Sequence, residues 1–296
     1  MCNSSYTQLN APGRHICSPF MRLFNLAGRL STFVDGVVVD VATASDNQFS
    51  SEPQRMFDEW QALVSWGESA NARGPGEVDM QQLHAPVPRP PQVFAIGLNY
   101  KAHAQEGIFS VPEEPTVFTK WPTCIVGPSH AVELRVDTDW EIELVVAISR
   151  RAYGVSAADA MSYIAGYTVG QDLSDRVLQR TGPAPQWSLG KSRYGYGPTG
   201  PWLVTVDEFD NPHDLAIHSS LAGETLQTSR TSMLIFDIPF LIEYISALCP
   251  LLPGDLIFTG TPEGVGYARK PPRFLHPGDV LTSTIEGIGD LVTAFV

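Results

Sequence analysis

The sequence is short of positive charge. Its 296 residues hold 19 Lys and Arg against 32 Asp and Glu, a formal net charge of −13. Nucleic acids and anionic membranes are bound by clustered cations that release counterions, so this balance argues against either as a partner. Long apolar runs are missing too. No window approaches the roughly 18 uninterrupted apolar residues that cross a bilayer. Residues 1–22 mix Asn, Ser, Thr, Gln, Pro and Gly with scattered basic residues, unlike a secretory leader. Cysteine is sparse: Cys2, Cys17, Cys124 and Cys249 lie far apart with no C-x-x-C pair and no His at zinc-finger spacing. They read as free thiols in a reducing compartment, and the expected setting is cytoplasmic. The Gly-rich run at 260–266 has neither G-x-G-x-x-G nor G-K-[ST], so no nucleotide cofactor is expected. Ser174 and Ser188 have no His at a hydrolase elbow, which argues against a serine nucleophile.

What remains is a globular composition, 43% hydrophobic and 17% charged, in a chain long enough to bury a sizeable core. Residues 1–20 read as an irregular tail. In a small unit at 21–85, Leu30, Thr32 and Val34 alternate with polar or small neighbours. Asp35-Gly36 is a turn signal and Val37-Val38-Val39 follows, which together predict a hairpin. Residues 53–66 have helical spacing, with Met56, Trp60, Leu63 and Val64 on one face. The proline-rich stretch 86–92 can form neither helix nor inner strand and reads as a linker. Beyond it, residues 93–296 form the larger unit. Strands are expected at 93–97, 141–148, 164–169, 202–206, 256–259 and 280–285, and helices at 174–179 and 239–248. In the second helix Leu241, Tyr244, Ile245 and Leu248 are expected to face inward. The fold class is α+β and mostly β.

Side chains at i and i+2 of a strand leave the same face, so Glu141 and Glu143 can converge on one ion while Ile142, Leu144 and Val146 face a core. Two like charges on a half-buried face repel unless a cation sits between them. Asp172 follows the apolar 164–169 run, at the carboxyl end of a strand where ligands often bind. Three oxygen ligands with water suit Mg²⁺ or Mn²⁺ better than Zn²⁺. E-x-E is also the ordinary pattern of a solvated edge strand, and Asp172 also fits a helix N-cap. His103 and Glu106 are three apart, a spacing that puts them on one side of a helical turn and lets the carboxylate orient the imidazole. Arg176 and Gln179 share that spacing, and a guanidinium there suits a substrate carboxylate. Thr261 sits in a Gly-Thr-Pro turn whose hydroxyl and amides can bind a carboxylate. Lys191 falls in a strand-like stretch between Gly190 and Ser192. Residues 107–115, rich in Gly and Pro, read as a lid.

Seven motifs then occur in order. They are Ile96-Gly97-Leu98-Asn99-Tyr100 with His103 and Glu106; Phe118-Thr119-Lys120; Glu141-Ile142-Glu143-Leu144; Gly166-Tyr167-Thr168 leading to Asp172; residues 174–179; Gly190-Lys191-Ser192; and Thr259 through Gly266. In this order they resemble the fumarylacetoacetate hydrolase family from about Val93 to Val296. The resemblance implies a mixed β-sandwich roll, usually a homodimer, with Glu141, Glu143 and Asp172 holding Mg²⁺ or Mn²⁺. It implies His103 with Glu106 as the water-activating pair, Lys191 as an oxyanion stabiliser, and Arg176, Gln179 and Thr261 on the carboxylate of a small 2-oxo acid. Tyr100 and Lys120 are expected to line the pocket or to pack.

The activity so implied is hydrolysis of a carbon–carbon bond in a 2,4-dioxo acid of the acylpyruvate or fumarylpyruvate type, through an enolate held at the metal. An oxaloacetate-type decarboxylase, or an isomerase or hydratase of an unsaturated 2-oxo acid, would need the same site. A non-catalytic dicarboxylate binder would keep the metal and leave His103 idle. Where many relatives have an aromatic after the Lys-Ser pair, this chain has Arg193, which points either toward substrate or to solvent.

Overall fold

The computed structural model describes residues 21–72, 76–107 and 110–296, so the expected tail at 1–20 lies outside it. Its centre is the strand Ile142–Ile148, buried along its whole length. Ile142, Leu144, Val146 and Ile148 enter one apolar cluster, while Val145 and Ala147 enter another on the opposite face. The expected alternation is therefore present, but the second face is not solvated. This strand lies between Ile164–Gln171 and Leu256–Phe258 in the middle of the sheet, which rules out the edge-strand reading of E-x-E.

The large sheet runs Val37–Asp40, Arg29–Val34, Arg22–Leu26, Gly197–Thr205, Ile164–Gln171, Ile142–Ile148, Leu256–Phe258, Val93–Gly97, Thr116–Thr119. It is mixed, because Leu256–Phe258 pairs parallel to Val93–Gly97 and antiparallel to the central strand. A second, antiparallel sheet carries Glu224–Arg230, Ala216–Leu221, Val280–Ile285 and Gly289–Ala294. The fold is the mostly-β α+β type that the sequence predicts. No helix among the described residues is long and apolar enough to cross a membrane.

The hairpin Arg29–Val34 to Val37–Asp40 forms as read, with Asp35 and Gly36 both left-handed at φ 50° and 76°, as a type I′ turn requires. Residues 53–66 form two pieces instead of one helix: a 3₁₀ turn Pro53–Phe57 and an α-helix Trp60–Ser69. Met56 and Phe57 are adjacent and both buried, which a helix with one apolar stripe accommodates poorly. Residues 21–85 do not stand apart. Arg22–Leu26 pairs with Gly197–Thr205, and Met21, Leu23, Val41 and Met56 share a cluster with Ala95, Val145 and Phe258. Val87 of the proline-rich stretch, and Ala85 just before it, are buried in the same cluster.

The other face is covered by the helix Ile238–Leu248, capped by Asp237, which accepts from the Phe240 amide at 2.9 Å. Its inward stripe is Ile238, Leu241, Ile242 and Ile245, while Leu248 is 70% exposed. Leu241 and Ile245 thus face inward as expected and Tyr244 packs partly buried against the same cluster, but Leu248 does not. Of the cysteines in the described residues, Cys124 is buried and Cys249 half-buried, and both are free thiols.

Candidate active site

The register of the two central strands places Ile142 opposite Gln171 and Glu143 opposite Gly170. Glu141 and Asp172 are the next residues outward, joined by a hydrogen bond from the Asp172 amide to the Glu141 carbonyl at 2.9 Å. Glu143 projects from the same face as Glu141. One carboxylate oxygen from each of Glu141, Glu143 and Asp172 falls within 4.8 Å of the other two, and all three residues are buried. The sequence-expected triad is therefore assembled by strand parity and pairing alone.

Three cations surround it. Lys191 Nζ donates to Glu141 Oε2 at 2.6 Å, Asp172 Oδ2 at 2.7 Å and Ser174 Oγ at 2.9 Å. Lys120 Nζ donates to Asp172 Oδ1 at 2.7 Å, and Arg176 Nη2 pairs with Glu141 Oε1 at 2.7 Å. Burial works to raise the Glu141 carboxyl, but Lys191 and Arg176 prevail and hold it at about 2. Lys191 is likewise opposed by burial and raised by Asp172 and Glu141.

Glu143 differs. Its Oε2 accepts from the Gly260 amide at 2.7 Å, but no cation pairs with it among the described residues. Burial, then the charges of Asp172 and Glu141, push its carboxyl well above the usual range. A buried carboxylate beside two others and short of a counter-charge fits a hard divalent cation, and three oxygen donors fit Mg²⁺ or Mn²⁺.

His103 and Glu106 lie on the helix Lys101–Glu106, and His103 Nδ1 sits 3.0 Å from Glu106 Oε1. Glu106 also accepts from the Gly264 amide at 3.0 Å, which docks this helix on the Gly-rich loop. Of the lid expected at 107–115, Ile108 and Phe109 lie outside the described residues. Of the amides beside Thr261, that of Gly260 serves Glu143, and farther along the loop Gly264 serves Glu106 while Gly266 and Tyr267 serve Asp139.

Arg176 and Gln179 meet as their spacing implies, Nη1 donating to Gln179 Oε1 at 3.0 Å on the helix Arg176–Gln179. Arg176 also bonds Asp139 Oδ2 through Nε at 2.9 Å, so it is a buried bridge between Asp139 and Glu141. Thr261 Oγ1 accepts from Gln227 Nε2 at 2.8 Å. Lys191 caps the helix Trp187–Gly190 and does not extend a strand, because Gln186 starts a helical turn by accepting from the Ser188 amide.

A cavity of about 240 Å³ opens over the triad, walled by His103, Arg176, Gln179, Lys191 and Thr261 with Ile96, Leu98, Phe118, Trp187, Val265 and Tyr267. Tyr100 and Lys120 do not reach this wall. Lys120 is spent on Asp172 and on the carbonyls of Lys191 and Tyr196. The Tyr100 hydroxyl is buried with no hydrogen-bond partner among the described residues, and burial and then Glu143 and Glu263 push it upward. Arg193 is neither of its two alternatives, since it pairs with Asp175, the cap of the Arg176–Gln179 helix, at 2.7 Å.

Sequence reasoning passed over three residues. Asp139 continues the i, i+2 spacing of Glu141 and Glu143 in the sequence, so a D-x-E-x-E reading would have found it. Gln171 fixes the Glu141 amide at 2.9 Å. Gln227 accepts from the Ile142 amide at 3.0 Å and holds Thr261, from a polar strand with no local signal.

The profile of the fumarylacetoacetate (FAA) hydrolase C-terminal family matches residues 92–296. The chain is 42% identical over 215 residues to a Bos taurus protein named oxaloacetate tautomerase FAHD2A, mitochondrial, covering 72% of this chain and 68% of that one. A solved, provisionally assigned HpcE protein from Mycobacterium smegmatis superposes with a TM-score of 0.88 at 48% identity, over 93% of this chain and 99% of that one. The maleylpyruvate hydrolase of Sphingobium sp. SYK-6, solved with manganese(II) and pyruvate, gives a TM-score of 0.76 at 26% identity, over 93% and 99%.

Proposed function

The chain belongs to the fumarylacetoacetate hydrolase family, and from that premise we propose that it enolises small 2-oxo acids with a divalent metal. Keto–enol interconversion of an oxaloacetate-type acid is our first reading. The observation that carries it is one imidazole, the only one among the described residues on the wall of a triad-floored cavity, with one nitrogen engaged by Glu106 and the other left for proton transfer. Glu141, Glu143 and Asp172 would hold Mg²⁺ or Mn²⁺. When bound, the metal supplies Lewis-acid polarisation of the substrate's carboxylate and 2-oxo oxygens.

The chain's own groups do the rest. Glu106 fixes the His103 tautomer with the proton on Nδ1, so Nε2 takes the proton from C3 and hands the same proton to the 2-oxo oxygen, and the reverse direction retraces both transfers. Gln179 spends its carbonyl oxygen on Arg176, which leaves its amide N–H groups to offer to a substrate carboxylate. Thr261 accepts from Gln227 and so keeps its own hydrogen to donate. Lys191 neutralises Glu141 and Asp172, and it serves as an oxyanion donor by exchanging one of these partners. Lys120 positions Asp172, and Tyr100 is buried within reach of the Glu143 charge.

Hydrolysis of a 2,4-dioxo acid is the second reading, favoured by the likeness to the maleylpyruvate hydrolase. There His103 Nε2 would take its proton from water, which attacks the distal carbonyl. Decarboxylation would use the same anchors without a base. Apolar residues stay exposed at 47% on Trp121, 54% on Val177 and 55% on Leu189. These segments adjoin, since the Trp121 amide bonds Ser192 beside the Leu189 helix and that helix packs on the one carrying Val177, and this surface supports a homodimer.

The test is to follow enol formation and carbon dioxide release from oxaloacetate, and acylpyruvate cleavage, in wild type and His103→Ala with Mg²⁺. We expect His103→Ala to abolish enolisation and hydrolysis while sparing decarboxylation. Undiminished enolisation in the variant would overturn the role of His103.

A further inference from the structure

Among the described residues, four cationic or imidazole side chains line the cavity besides the carboxylates: His103, Arg176, Arg180 and Lys191. Three are committed, His103 to Glu106, Arg176 to Asp139 and Glu141, and Lys191 to Glu141 and Asp172. Arg180 has no carboxylate partner among the described residues. The segments outside them, 1–20, 73–75 and 108–109, contain no Asp or Glu that could supply one.

Arg180 is nonetheless held in place. Its guanidinium carbon lies 3.4 Å from the centre of the Tyr267 ring, a stacked cation–π contact. Stacking uses the flat face of the guanidinium and leaves its N–H edge available to an anion. The platform is anchored, because the Tyr267 amide donates to Asp139 at 2.9 Å, and Asp139 also holds Arg176 beside the triad. The Arg176 guanidinium carbon lies 6.0 Å from the same ring, so Tyr267 ties the free cation to the committed one at the metal-binding end.

We propose that Arg180, stacked on Tyr267, is the specificity-determining residue that binds a second, distal carboxylate, so that the enzyme prefers dicarboxylic 2-oxo acids to their uncharged analogues. This inference rests on the reading of the site as one for 2-oxo acids. It adds which end of the substrate is recognised by a charge that the proximal anchors do not supply. The apolar wall of Phe118, Trp187 and Val265 accepts the carbon chain between the two ends.

Matched, uncleaved probes test it. The Mg²⁺-loaded full chain is titrated calorimetrically with 2-oxoglutarate against 2-oxopentanoate, and with 2-oxoadipate against 2-oxohexanoate. Each pair differs only in a terminal carboxylate or methyl group. The wild type should bind the charged member of at least one pair about tenfold more tightly, as a charge-assisted bidentate contact implies. Arg180→Gln should remove that preference and leave the uncharged member within about twofold of wild type. Tyr267→Phe should keep it and Tyr267→Leu lose it, because the ring face holds the cation. Equal binding of both members by the wild type, or equal losses on both in Arg180→Gln, would overturn the assignment. If no 2-oxo acid binds at all, the proposed function fails, and this inference with it.

Discussion

Asp139 gives the most demanding quantitative test. It is fully buried, and its two oxygens accept from three backbone amides, Trp140 at 2.8 Å, Gly266 at 2.7 Å and Tyr267 at 2.9 Å, and from Arg176 at 2.9 Å. Asp139→Asn keeps the shape but turns one oxygen into a donor. If Oδ1 is replaced, the Trp140 and Gly266 amides each face another donor. If Oδ2 is replaced, Tyr267 and Arg176 do. Either way two buried donors lose their acceptor at about 1–3 kcal/mol each, and Arg176 keeps only Glu141 as a charged partner. We therefore expect about 3 kcal/mol of lost stability, read as a lower urea midpoint at unchanged slope. Activity should fall as well, since the Gly266–Tyr267 wall and Arg176 share this one anchor. A variant within about 1 kcal/mol of wild type would refute the view that Asp139 organises both.

Two further effects follow from backbone geometry and burial. Gly264 has φ +101°, and a Cβ there would stand 2.2 Å from the Leu226 carbonyl oxygen, whereas Gly182 has φ +89° and open space around it. Gly264→Ala should cost more than about 2 kcal/mol and disturb Glu106 through the shared amide, while Gly182→Ala should cost only about 1 kcal/mol of strain, both measured by denaturant unfolding. Asp255 is fully buried and raised to about 6 by that burial, against the donors Leu252 and Gln92 that favour its charged form. A folded-state value above the unfolded one of 3.8 means that its protonated form stabilises the fold below about 4, and that this contribution disappears as pH rises through 6. The stability difference between wild type and Asp255→Asn should accordingly change between pH 4 and 6, by about 1–3 kcal/mol, and stay flat above pH 7.

What the sequence made legible was local and periodic. Parity along 141–148 fixed which carboxylates converge, and spacings of three joined His103 to Glu106 and Arg176 to Gln179. Asp35-Gly36 marked its hairpin because few residue pairs take two left-handed conformations in succession. The Ala216–Leu221 and Glu224–Arg230 strands were missed because their polar sequences show no clean alternation; one edge is exposed, and of their few apolar residues Ile217 joins the central cluster while Leu221 and Leu226 join another. Thr116–Thr119 and Gly289–Ala294 are edge strands with the same weak signal. Gln227 reaches Thr261 and Ile142 only through that second sheet, so no spacing near the motifs could reveal it. The commitment of Arg176 to Asp139 and Glu141 was also hidden, since a lone arginine after an aspartate does not disclose which buried acids it will bridge.

The central claim is that Glu141, Glu143 and Asp172 form a divalent-cation site in which Glu143 awaits the counter-charge. Calorimetric titration of Mn²⁺ and Mg²⁺ into the chelator-treated full chain tests it most directly, with wild type and Glu143→Gln compared in the same buffer. We predict one site per chain in the wild type and at least about a hundredfold weaker binding in the variant, as removal of one of three charged ligands implies. Equal affinity in the two proteins, or no binding by the wild type, would contradict the account.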